Sequence, residues 1–382
     1  MASAVAAAAA RLGAASRVHS SSNVTARCPN VPAGVRAALR TSLAVRAYRV
    51  DEASAAPPAA DAPPAEEATF TAPAQPAVKA PTIDAKGFLA ADKQAEPVPA
   101  EVARQIFEAG TSVGCFQLVN HGVSLDPIKR MNAAQRAFFA LPLEEKLKVK
   151  RTLDNPNGFF NDEYTKQILD LKEGFDFVHE AQGGSSSILA APNQWPASQP
   201  EFRRVMEAYL AEMSRVSFRL LEAFSIGMGL PPTTLHHLFA DDHTSFMRLN
   251  YYPATSPLKP GMALNHHTGK PTAACRGQWN NVTPEPDALT INVGDQCQVL
   301  TNDVFTAPVH RVLSPKNGQA RYSAPFFFNP RPDAVIEPLK EFICEERPAV
   351  YNPIPWAAFR QQRYAGDLAD QGREIQIYHY KR

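Results

Sequence analysis

Four residues in the last third of the chain have types and spacing that could do chemistry together: His267, His310, Arg321 and Ser323. Arg321 and Ser323 are two apart, so on a strand they point to the same side. A guanidinium beside a hydroxyl can hold a carboxylate, the arginine through a planar two-point contact. His267 and His310 sit in separate β-rich runs. They meet only if the sheet folds back on itself. Each feature alone says little: a single strand histidine is more often structural, and an Arg-x-Ser triplet is common.

The elements that must position these residues form a strand-rich back half. After residue 240, short β-rich runs alternate with turn signals at Phe246–Tyr252, Ala288–Val293, Gln298–Leu300, His310–Leu313 and Tyr322–Phe328. Lys316-Asn317-Gly318 reads as a hairpin turn between the last two. Short strands at this spacing predict a sandwich or jelly roll. The front half reads as helical. A helix is expected over Val98–Ala109, then a buried strand Cys115–Val119 closed by Asn120-His121-Gly122, then a helix over Met131–Leu141. Phe202, Met206, Tyr209, Met213, Val216, Leu220 and Phe224 repeat every three or four residues, which puts them on one face of a long helix. Trp356, Phe359, Arg363 and Tyr364 predict a last helix lying on the sheet.

The chain has 382 residues, net charge +1, 34 prolines and five cysteines without a CxxC pair. That composition excludes collagen, a coiled coil and a disulfide miniprotein, and the cysteine spacing argues for a reducing compartment without a disulfide frame. No apolar run approaches the roughly 18 residues of a membrane span. Residues 1–50 hold seven arginines and no Lys, Asp or Glu. This is the composition of an organelle transit peptide. Val45-Arg46-Ala47 resembles green-algal chloroplast cleavage sites, so a chloroplast address is expected, with the mitochondrion as the rival. Taking those seven arginines from the total leaves −6 on the remainder, which has no general attraction for nucleic acid. Residues 51–80 are an Ala/Pro-rich linker that buries too little to fold. The expected divisions are then a helical domain over 81–235, a jelly-roll domain over 236–335, and a C-terminal helix and tail over 336–382.

In order, Gly114–Gly122, Phe138–Lys146, Lys172–Phe177, Thr244–Pro253, Asn292–Asp295, Asn302-Asp303, Ala307–Val312 and Arg321–Phe328 resemble the plant-type 2-oxoglutarate- and Fe(II)-dependent dioxygenases, which include the isopenicillin N synthase-like enzymes. The resemblance runs from about Pro81 to the C-terminus. It implies an α+β, mainly β fold: a double-stranded β-helix (jelly roll) with flanking helices. It also implies Fe(II), 2-oxoglutarate and O2, with iron on a His-x-Asp pair and a distal histidine. His267 matches the first histidine and His310 the distal one. Arg321 and Ser323 match the pair on the far carboxylate of 2-oxoglutarate, and Asn250 and Tyr252 match polar residues beside it. No catalytic residue is expected beyond these ligands. The reaction implied is hydroxylation, desaturation or ring closure of a small molecule, releasing succinate and CO2. A monomer without nucleic-acid or membrane partners is expected. Oxidation without 2-oxoglutarate, as in isopenicillin N synthase, is a rival chemistry.

His266 faces away from His267 on a strand, so only one of them reaches the metal. His121, His236, His237 and His243 fall where the family has no ligands and read as structural or surface residues. A second metal site at His236, His237, Asp241, Asp242 and His243 is the lesser reading.

The sequence departs from the family at the position two after His267, where Gly269 replaces the ligand aspartate. The stretch from His267 to Trp279 is also about half the family's length. Three accounts stand: coding sequence missing from this chain, an inactive relative that still binds a small carboxylate, and a halogenase-like variant in which chloride fills the vacant position.

Overall fold

The computed structural model describes residues 80–89, 96–165, 168–170, 172–180, 191–240, 242–254, 262–267, 282–308, 310–313, 319–368 and 375–382. The expected transit peptide, nearly all of the linker, the Lys316-Asn317-Gly318 turn and the segment around Gly269 lie outside these residues.

Strand β1 (Thr82–Asp84) leads to helix α1 (Ala100–Ser112), strand β2 (Cys115–Val119), and helices α2 (Leu125–Phe139) and α3 (Leu143–Leu147). Four short strands follow: β3 (Gly158–Phe160), β4 (Tyr164–Thr165), β5 (Ile168–Leu169) and β6 (Glu173–Val178). Helix α4 (Pro200–Gly227) starts with proline at a position where a missing N–H costs nothing. Its seven periodic residues are all buried, and it packs against α1 and α2. The back half holds β7 (Phe246–Tyr252), β8 (Met262–His267), β9 (Leu289–Asn292), α5 (Asp295–Leu300), β10 (His310–Leu313), β11 (Arg321–Ser323), β12 (Phe326–Phe327), β13 (Val335–Ile336), β14 (Ile354–Pro355) and α6 (Trp356–Leu368).

The main sheet runs β11-β7-β6-β3, with β12 also on β7. β10 pairs with β8, and β1-β2-β9 form a third sheet. Both larger sheets therefore cross residue 235, because β3 and β6 complete the sheet of β7 while β2 pairs with β9. One apolar cluster spans both halves, from Phe138, Phe159 and Phe175 to Met247, Leu249 and Trp356. Along β7 the odd residues Met247 and Leu249 are fully buried in this cluster. Residues 246, 248, 250 and 252 therefore face the other way.

Three expectations fail. Gln298–Leu300 belongs to helix α5 rather than a strand. Gly294 enters it in extended conformation, and Asn302 and Asp303 follow it with positive φ (51° and 68°). Among the described residues β10 and β11 do not pair as a hairpin would require: β10 lies on β8 and β11 on β7. Cys344 is disulfide-bonded, although the cysteine spacing argued against a disulfide frame, while Cys115 and Cys297 are free thiols.

Among the described residues, His121 and His243 are held by structural contacts. His121 is buried, with Nε2 2.9 Å from the Asp287 carbonyl and Nδ1 accepting from the Val123 N–H. His243 stacks on His179 at 4.6 Å and packs on Phe218 and Phe328. Among the described residues no group of three metal-ligating side chains occurs, so His236, His237, Asp242 and His243 form none between them; Asp241, the fifth residue of that reading, lies outside the described residues.

Burial, and then the neighbouring His179, lower the His243 pKa from 6.5 to about 4. The unfolded chain therefore takes up a proton first. Stability should be complete above pH 6.5 and should fall by about 3 kcal/mol as the pH drops towards 4. His243→Phe should flatten that slope in urea titrations run at several pH values. A slope unchanged by the substitution would contradict this assignment.

Candidate active site

The antiparallel register of β11 on β7 sets Arg321 opposite Tyr252 and Ser323 opposite Asn250. Strand alternation alone then puts all four side chains on one face. The Arg321 guanidinium lies over the Tyr252 ring at 5.1 Å. The Asn250 amide nitrogen is 3.4 Å from the Ser323 hydroxyl. Asn250 and Tyr252 are buried, and Arg321 is exposed. The other amide end, Asn250 Oδ1, is buried with no partner. Oxygen and nitrogen of an amide exchange places by a simple flip, so this end offers an N–H to an anion in the flipped state. An orphaned amide, a hydroxyl and a guanidinium on one face fit a carboxylate guest.

Sequence reasoning missed the residue that holds this pair of strands. Gln135, fully buried on α2, donates from Nε2 to the Asn250 carbonyl (3.2 Å) and the Ser323 carbonyl (2.9 Å). One amide thus ties the backbones of β7 and β11 beneath the candidate site. A glutamine on the inner face of a helix was the only sequence signal.

The two histidines also meet. His310 on β10 is in register with His267 on β8, which puts their Cα atoms about 5 Å apart. The Nδ1 atom of His310 lies 3.1 Å from the Pro308 carbonyl. A proton on Nδ1 donated to that carbonyl turns the Nε2 lone pair into the metal-binding one. Asp295, at the start of α5, carries a carboxyl whose pKa is raised by burial, against the opposing charges of Arg363 and His310. Two histidines in register on paired strands are a donor pair of the type that suits a non-haem iron. The donor set is one carboxylate short, because position 269 has no side chain.

A buried ionic group, also missed, lies next to the site. Glu163 accepts from Lys172 at 2.5 Å, Arg248 at 2.9 Å and Arg151 at 3.3 Å. Arg248 grips Asp176, its cross-strand partner, through Nε and Nη2 at 2.8 and 2.7 Å. Lys172 also pairs with Asp170 at 3.3 Å. Burial pushes the Glu163 carboxyl up, and Arg248, Lys172 and Arg151 outweigh it, holding the pKa far below the usual range. The Phe160 ring carries Arg151 at 3.8 Å and Arg248 at 4.9 Å.

Residues 80–198 match the model of the N-terminal region of a non-haem dioxygenase in morphine synthesis, and residues 243–330 that of the 2OG-Fe(II) oxygenase superfamily. The chain is 31% identical over 276 residues to jasmonate-induced oxygenase 4 of Arabidopsis thaliana, covering 68% of this chain and 77% of that protein. It is 30% identical over 274 residues to a homoarginine-6-hydroxylase of the same plant, covering 65% and 82%. Among solved structures, it resembles a full-length Neurospora crassa protein in complex with alpha-KG and 5-formyluracil at TM-score 0.65 and 25% identity, over 75% of this chain and 96% of that one. It shares its fold with JOX2 bound to 2OG, Fe and JA at TM-score 0.66 and 24% identity, over 80% and 90%.

Proposed function

Because the chain belongs to the 2-oxoglutarate- and Fe(II)-dependent oxygenases, we propose that Arg321, Ser323, Asn250 and Tyr252 hold the far carboxylate of 2-oxoglutarate and that His267 and His310 bind the iron. The family is one of dioxygenases that use Fe(II), 2-oxoglutarate and O2 to oxidise small molecules. The observation that carries the residue assignment is the β7–β11 register, which gathers four separately predicted residues on one face.

Each side chain then has a physical task. Arg321 offers two parallel N–H donors to one carboxylate. The Ser323 hydroxyl donates beside it, and the Asn250 amide supplies a third donor once flipped. The Tyr252 ring supports the guanidinium from below by a cation–π contact. Gln135 keeps the two strands from sliding. The Pro308 carbonyl orients the His310 ring. Iron bound there, with O2, would supply the oxidation that 2-oxoglutarate decarboxylation drives. No acid–base residue beyond these ligands is assigned.

Arg321→Ala should weaken 2-oxoglutarate binding by about 100-fold or more, since a charge-assisted bidentate contact is lost. Calorimetric titration with Zn(II) present checks this, and undiminished binding would remove the assignment. Gly269 favours a second reading, a carboxylate-binding relative without turnover. Succinate release with added Fe(II) separates the two.

The substrate class is small molecules, and the relatives span jasmonate, a pyrimidine base and homoarginine by their names and bound ligands. The acid-free, arginine-rich residues 1–50 support chloroplast import with removal near Val45-Arg46-Ala47, followed by the 51–80 linker. A mature N-terminus found upstream of Arg27 would refute that cleavage. The same reading has the mature protein a monomer without nucleic-acid partners, to be checked by light scattering.

A further inference from the structure

The ionic group around Glu163 shares its face of the sheet with the cosubstrate residues. Arg248 precedes Asn250 by two residues and Tyr252 by four on β7, so the three side chains stand in one row on the face opposite the apolar cluster. The cations Arg151, Lys172 and Arg248 balance the carboxylates Glu163, Asp170 and Asp176 one for one. Glu163 alone contacts all three cations. It lies on the segment between β3 and β4, outside the sheet that it anchors.

The group reaches the site along β7 and through Phe160. Tyr252 follows Arg248 by four residues on β7 and carries Arg321 over its ring at 5.1 Å. Arg151 and Arg248 press on Phe160. The Phe160 ring lies so close over Gly174 that a Cβ there would come within 2.1 Å of it. Gly174 is the cross-strand neighbour of Asn250.

We infer that Glu163 is a positioning residue for the cosubstrate site, fixing Arg248, Lys172 and Phe160 so that Asn250 and Tyr252 hold the arrangement a dicarboxylate needs. This rests on the reading of Arg321, Ser323, Asn250 and Tyr252 as the 2-oxoglutarate site. Glu163 touches no substrate. Its effect passes through the cations and the ring.

The test is 2-oxoglutarate affinity, by calorimetry with Zn(II) present, in four proteins: wild type, Arg321→Ala, Glu163→Gln and the double variant Glu163→Gln/Lys172→Met. Glu163→Gln leaves an unbalanced buried cation and is strongly destabilising. The double variant removes one charge of each sign and keeps the group neutral, so it serves if the single variant does not fold. Both are expected to bind 2-oxoglutarate about tenfold or more weakly, with Zn(II) affinity unchanged. A double variant with wild-type 2-oxoglutarate affinity would show that Glu163 only balances charge, and the inference falls. Tighter binding in Glu163→Gln also overturns it, because an added positive charge would then be the whole effect. Arg321→Ala keeps the two ideas apart. If it binds 2-oxoglutarate normally, the site reading fails. If it loses binding while the Glu163 variants retain it, only the positioning role fails.

Discussion

His310→Ala should abolish succinate release and lower Co(II) or Fe(II) affinity by more than about 100-fold. Loss of a residue that merely orients a metal ligand costs about 10–100-fold, so loss of a ligand exceeds that. The effect is larger here than in a complete triad, because the described pair His267–His310 would be reduced to one imidazole and position 269 contributes nothing. The converse change has the opposite sign. Gly269→Asp should raise Co(II) affinity about tenfold or more, as a carboxylate joins two imidazoles in the donor set of a facial triad. Cobalt absorption spectra would follow both variants. Metal affinity indifferent to His310 would remove the iron assignment. Indifference to Gly269→Asp would mean that the shortened segment after His267 does not carry position 269 to the metal.

Gly174→Ala should destabilise the fold by roughly 3 kcal/mol or more and weaken 2-oxoglutarate binding at the same time. The added methyl would meet three atoms of the fully buried Phe160 ring at 2.1, 2.5 and 2.6 Å. The ring cannot retreat, because Arg151 covers it at 3.8 Å. Chemical denaturation measures the loss. Phe160→Leu in the same chain should return part of it by removing the ring edge. If Gly174→Ala is silent on its own, the close approach does not govern this part of the sheet.

The sequence revealed those parts of the site that depend on local spacing. Phe246–Tyr252 and His310–Leu313 were legible as strands to the residue, and the two-residue step from Arg321 to Ser323 already fixed their common face. What spacing could not reveal was which strands pair. His310–Leu313 and Tyr322–Phe328 are neighbours in sequence with a turn motif between them, yet their partners are β8 and β7. Residues 298–300 show the ambiguity of a short apolar run, which suits a strand or a buried helix equally. The group around Glu163 was illegible for another reason. Its members come from segments up to 97 positions apart (Arg151 to Arg248), and singly each reads as an ordinary surface charge. Cys344 follows the same rule, since its bridge depends on tertiary proximity.

The main sheet joins strands from both halves of the chain: β3 and β6 before residue 235, and β7, β11 and β12 after it. Gln135 from the first half ties the second half's strands together. Such an arrangement cannot be traded as a cassette. A front half taken from a relative would have to bring its own matching edge for β7 and its own glutamine for the β7–β11 seam. An exchange at the boundary between the halves would therefore break the main sheet and the Gln135 tie at once, so the two halves of such a fold are expected to change together.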